Sequence, residues 1–150
     1  MGISVTSDFK VSRRVRKLCE GQAVKKVLNK GVKAVASDLL RVGMERAPYK
    51  TGTLEHSGVL KCCGNGSFYE ARVSFSAVNK KGENYAKRMD VDTYRLGKKS
   101  IEKASRGASS KFCTHSLKVG TGYLSDTAEK CTEGYKEYLH RIIISKAKEG

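Results

Sequence analysis

Tryptophan is absent, proline occurs once, at Pro48, and aromatic residues make up only 7% of the 150-residue chain. A proline-rich linker is therefore excluded. No apolar run approaches the ~18 residues of a membrane span. The opening MGISVTSDFKVSRRVRK lacks the apolar stretch of a secretory signal, so the chain is expected to be made and kept in a cytosol. Gly2 and Thr6 satisfy a short acylation pattern, but nothing else points to a membrane. Cys-x-x-Cys spacing is missing among Cys19, Cys62, Cys63, Cys113 and Cys131, and this odd set suits reduced thiols better than a disulfide framework. Acidic residues are scarce: 15 Asp and Glu face 30 Lys and Arg, a net charge of +15 that predicts a large anionic partner. Hydrophobic residues at 39% still suffice for one folded domain of ordinary size.

The charge is segregated. Residues 1–50 carry 12 basic against 4 acidic side chains and residues 79–120 carry 11 against 4, whereas 51–78 and 121–150 are balanced. Two segments are built to meet an anion. The first includes a basic arm over residues 1–18, with Arg13, Arg14, Arg16 and Lys17, ahead of a domain over 19–150.

Across residues 19–46, Val24, Leu28, Val32, Val35, Leu39 and Val42 recur at helical spacing, and Pro48 stops the helix. A turn at Lys50-Thr51-Gly52 leads to two strands, 57–62 and 68–78, joined at Gly64-Asn65-Gly66, a hairpin signal. In the second strand Tyr69, Ala71, Val73, Phe75 and Ala77 share one face. The polar stretch 79–120 predicts a long basic connection, with a short helical piece near 100–104. A last helix over 124–146 carries Leu124, Ala128, Cys131, Tyr135, Leu139 and Ile142 on its apolar face. The sum is an α+β domain: a long N-terminal helix and a C-terminal helix on a small antiparallel sheet, with a long basic loop.

Chemistry-bearing patterns are sparse. His56, His115 and His140 belong to no Ser- or Cys-centred triad pattern, no Gly-rich phosphate cradle opens a helix, and the chain reads as a non-enzyme without cofactor. Cys62, Cys63, Cys113 and His115 are the available zinc ligands. Adjacent strand residues point to opposite faces, which argues for small, partly buried thiols instead, without removing the metal alternative. Tyr85, Tyr94 and Phe112 lie in the basic connection and suit anchoring of that loop better than base stacking.

The segment VASDLLRVGMERAPYKTGTLEHS over 35–57 resembles the hallmark of the tail-completion or neck proteins of long-tailed bacteriophages, also described as head–tail connector or minor capsid proteins. The matching positions are Ala47, Pro48, Thr51, Gly52, Leu54 and Ser57, in which a helix ends in Ala-Pro, a Thr-Gly-x-Leu turn follows and Ser opens a strand. Tyr85-Ala86 resembles the family's Tyr-Ala, and Gly120-Thr121-Gly122-Tyr123-Leu124 its Gly-x-x-Phe-Leu before the closing helix, with Gly122 and Leu124 at motif positions. The likeness runs over about residues 20–145 and departs at 87–94, where the family's short Glu-Phe/His-Gly-Thr element is replaced.

The resemblance implies a structural virion protein, assembled in a host cytoplasm, that forms a homo-oligomeric ring at the neck around the DNA exit channel. Its partners would be a portal-side connector or head-closure protein and tail-terminator or tail-tube proteins, with non-specific contact to genomic DNA. A tail-terminator or head-closure ring is a close variant, and a free basic nucleic-acid-binding domain is the competing class. Candidate contacts to DNA or partners are Arg13, Arg14, Arg16, Lys17, Lys98, Lys99, Lys103, Arg106 and Lys111.

Overall fold

The computed structural model describes residues 3–5, 21–64 and 69–149. The basic arm with Arg13, Arg14, Arg16 and Lys17, Cys19, and the hairpin residues Asn65 and Gly66 lie outside the described residues. The elements in chain order are β1 (Ile3–Val5), α1 (Gln22–Arg46), α2 (Thr53–His56), β2 (Val59–Gly64), β3 (Tyr69–Phe75), α3 (Ala86–Val91), α4 (Lys98–Ser105) and α5 (Ser125–Glu149).

The apolar stripe of α1 faces the core as its spacing predicts, with Val24, Val35, Leu39 and Val42 buried. The helix stops where Pro48 forces it to: Ala47 leaves helical geometry at ψ 132° while its N–H still donates to the Gly43 carbonyl at 2.8 Å. The chain then reverses through Gly52, whose φ of +82° is the left-handed conformation that L side chains avoid. Leu54, one residue into α2, is thereby tucked into the core. Gly52→Val is expected to destabilise the domain by about 1–2 kcal/mol, the cost of a β-branched residue held left-handed. An unchanged thermal melt of that variant would contradict it.

β3 is the central strand of a three-stranded antiparallel sheet ordered β1-β3-β2. β2 pairs with β3 from Val59 opposite Ser74 to Gly64 opposite Tyr69. The expected first strand at 57–62 starts two residues later because 53–56 form a helical turn. Ser57 closes that turn, its Oγ donating to the Leu54 carbonyl at 2.7 Å and accepting the Ser76 N–H at 3.2 Å. The alternation of β3 holds, with Val73 and Phe75 buried and Arg72 exposed. Residues 3–5, expected within an arm, instead form the third strand.

α5 runs antiparallel beside α1: Asp38 meets Tyr135, and Arg46 meets Asp126 and Thr127. At the base of α5 the ring of Tyr123 stands edge-on to Phe75 at 5.1 Å between centroids, joining helix start and sheet in one core with Val42 and Leu124. The connection 79–120, expected as a long loop, carries two helices, α3 and α4, and only the second was legible as a helical piece. No helix among the described residues is long and apolar enough to cross a membrane.

Candidate functional site

Three buried charged side chains tie the basic connection to the body. Asp38, 4% exposed on the inner face of α1, accepts hydrogen bonds from Ser110 Oγ at 2.6 Å, Arg41 Nη2 at 2.8 Å, Tyr135 Oη at 3.1 Å and the Lys111 N–H at 3.3 Å. Burial pushes its pKa up, but the donors from Ser110, Arg41, Lys111 and Tyr135 outweigh burial and hold the carboxyl below its ordinary value. Tyr135 stays a phenol, its pKa raised by burial and then by the Asp38 charge.

Arg46, 2% exposed, donates through Nε to the Lys118 carbonyl at 2.7 Å, through Nη1 to Thr127 Oγ1 at 2.6 Å and through Nη2 to Asp126 Oδ2 at 2.8 Å. This fork uses the planar geometry that a lysine lacks. Asp126 titrates below its ordinary value: burial pushes it up, and Lys130 and Arg46 pull it further down. Asp90, at the end of α3, caps α5 by accepting the N–H groups of Leu124 at 2.9 Å and Ser125 at 3.2 Å.

Lys103 points into the fold. Its Nζ donates to the Met44 carbonyl at 2.6 Å, the Ala47 carbonyl at 2.9 Å and Glu55 Oε2 at 2.7 Å, which places a cation at the C-terminal end of α1. Ser100 exchanges hydrogen bonds with the backbone of Tyr49, at 2.9 Å and 3.2 Å. Phe112 is seated between Tyr135 and Tyr138, at 5.7 Å and 4.6 Å between centroids, so it anchors the connection on α5. Gly134 makes that seat possible, since a Cβ there would stand 1.8 Å from the Phe112 carbonyl oxygen. The backbone at 112–113 thus lies directly against the helix.

Of the expected contact residues, Lys98, Lys99, Arg106 and Lys111 are exposed. Lys99 Nζ lies 5.9 Å above the Tyr49 ring, a cation–π contact. Lys103 is taken up inside the fold and is not presented to a partner. α4 also carries Ile101, 58% exposed, one turn from Lys98.

The thiols separate. Cys62 and Cys63 are exposed on β2, Cys113 is half-buried, and Cys131 lies in the core, where burial and then the neighbouring Cys113 push its pKa up to about 12. Cys131 is therefore a protonated, unreactive thiol at neutral pH. Among the described residues no three His, Cys, Asp or Glu side chains are grouped to hold a metal ion. His56, His115 and His140 are all exposed, and His56 Nδ1 meets the Gly52 carbonyl at 2.7 Å. An open cleft of about 660 Å³ borders Arg46, Asp90, Lys118, Asp126 and Lys130. Its buried charges are already joined to backbone and to one another.

Sequence reasoning missed Asp38, Arg46 and Asp90. The signal for the first two was available: both sit at helical spacing on the apolar stripe of α1, where a charge survives only with partners. Asp90 had no such signal, because its role depends on α5 arriving from far along the chain.

The motif segments meet. The Gly120 N–H donates to the Arg46 carbonyl at 3.0 Å, the Gly122 N–H to the Asp90 carbonyl at 2.7 Å, and Tyr123 Oη to the Ala86 carbonyl at 3.2 Å. Tyr85 N–H reaches back to Ala77 at 2.9 Å, and Thr51 Oγ1 lies 2.9 Å from Thr53 Oγ1 in the turn before α2. Comparison with protein-family models, with curated proteins and with solved structures finds no match to this chain.

Proposed function

We propose that this chain is a structural, non-enzymatic protein of a tailed-bacteriophage neck, one subunit of a ring that joins or completes the tail around the DNA exit channel. The observation that carries the reading is the meeting of its three motif segments. The Ala-Pro end of α1, through the Arg46 carbonyl, and Tyr85-Ala86 are far apart in sequence, yet each bonds to the Gly120–Leu124 stretch before α5. Motifs with a shared architectural role are expected to converge in this way. The exposed Lys98, Lys99 and Ile101 of α4 supply a docking face for a neighbouring ring or subunit.

The test begins with the solution mass of the purified protein and cryo-electron microscopy of the particle that carries it. A ring, or density at a head–tail junction, supports the reading; a monomer absent from any virion removes it. Charge reversal at Lys98 and Lys99 is expected to leave the monomer folded, because both side chains are exposed, and to impair head–tail joining. Normal yields of infectious particles from that mutant would count against α4 as the contact.

A further inference from the structure

Every exposed residue of α1 lies in its N-terminal two thirds: Gln22, Ala23, Lys26, Asn29, Lys30, Lys33 and Ser37. At 100° per residue, Lys26, Lys30 and Lys33 form one stripe, diametrically opposite the buried Val24, Val35 and Val42. No acidic residue occurs between positions 21 and 37, and none of the three lysines has an ion pair among the described residues. The contrast is with the rest of the same helix and with α5. Arg41, further along the same helix, is held by both Asp38 and Glu45. The outer face of α5 mixes signs, with Lys130 on Asp126 and Lys136 on Glu133.

Lys26 and Lys30 at i,i+4 and Lys30 and Lys33 at i,i+3 are like-charge neighbours with no ion pair among the described residues, so the arrangement costs stability unless an anion meets it. The composition of the face selects the anion. A protein interface needs large apolar or aromatic anchors and is depleted in lysine, and this face has none of those anchors. A single-strand binder needs aromatic platforms for stacking, and this face has no aromatic residue. Lys, Asn, Gln and Ser are the side chains that contact phosphate without reading bases.

From this we infer that the outer stripe of α1, Lys26, Lys30 and Lys33 with Asn29 between them, is a sequence-independent docking face for the phosphate backbone of double-stranded DNA. The inference deepens the neck reading by naming the face that turns to DNA, in place of the central connection, and it concerns a property of the isolated chain.

The test is fluorescence anisotropy of the full-length protein with a labelled 20-base-pair duplex of arbitrary sequence over a salt series. Each neutralised phosphate contributes about −0.9 to the slope of log affinity against log salt, so Lys26→Ala/Lys30→Ala/Lys33→Ala is expected to flatten the slope by about 2.7. Between 50 and 200 mM salt the native chain should then lose roughly 40-fold more affinity than the variant, by the same relation. Alanine is a good helix former and the change removes like-charge neighbours, so the variant's melting temperature is expected to hold or rise. Lys98→Ala/Lys99→Ala is expected to leave the slope nearly unchanged.

A triple variant with the native slope overturns the inference, as does an equal loss per lysine from the α4 variant. Failure of the native chain to bind duplex, with retention on polyglutamate instead, assigns the face to an acidic protein and also overturns it. The neck reading is decided separately by particle density. A flattened slope without a place in any virion would keep the DNA face and remove the neck, and neck density with an unaltered slope would do the reverse.

Discussion

Arg46→Ala is expected to lower the stability of the domain by about 3 kcal/mol, the low end of the cost of breaking a buried ion pair. The truncation strips partners from the Lys118 carbonyl, Thr127 Oγ1 and Asp126 at once. It stays at the low end because Asp126 keeps Lys130 at 3.0 Å and is itself partly exposed. For a domain of this size the corresponding fall in melting temperature is roughly 6–12 °C. Urea unfolding measures it directly. Arg46→Lys should recover only part of the loss, since an ammonium cannot serve three acceptors in a plane. A loss under about 1 kcal/mol for Arg46→Ala would show that the fork is incidental to the joining of α1 and α5.

Gly134→Ala is the second large effect, and its sign separates local from tertiary control. On a solvent-facing stretch of helix the change would stabilise by about 1 kcal/mol. Here the added methyl would meet the Phe112 carbonyl oxygen at 1.8 Å, a backbone atom that yields only if the whole 109–113 segment withdraws. Withdrawal would unseat Phe112 from Tyr135 and Tyr138 and take the Ser110 and Lys111 donors away from Asp38. A net loss of about 2 kcal/mol is expected, in the range of core overpacking, with faster amide exchange in 109–113 and along the centre of α5. A variant more stable than the native chain would show that the segment does not lie on the helix.

What the sequence made legible follows from how local each cause is. α1 could be read from its own apolar spacing and its end from Pro48, because both act within one turn. The alternation of β3 and the turn at Gly52 were likewise local matters. α3 was not legible: its six residues carry little apolar pattern, and Asp90 gains its role only by capping a helix that starts at Ser125. Lys103 read as one more surface cation in a basic stretch, although its three acceptors lie 48 to 59 positions earlier in the chain. Basic charge on a segment therefore overstates what that segment offers a partner, because one of its cations stabilises the fold.

The antiparallel seating of α5 against α1 also governs when the protein can fold. The apolar stripe of α1 is complete once residue 46 has been made, yet its partners Cys131, Tyr135 and Leu139 belong to the last quarter of the chain. During synthesis at about 5–20 residues per second, β3 with Phe75 can cover part of that stripe early, and the rest waits several seconds for α5. The interactions that hold α1 in place span 80 residues or more in the Arg46–Asp126 and Asp38–Tyr135 pairs, so the chain carries a high contact order for a helix-rich fold. Folding is thus expected to be a late event that closes both ends of the chain together. Until then the nascent first half presents a partly uncovered apolar face, the kind of surface that chaperones hold.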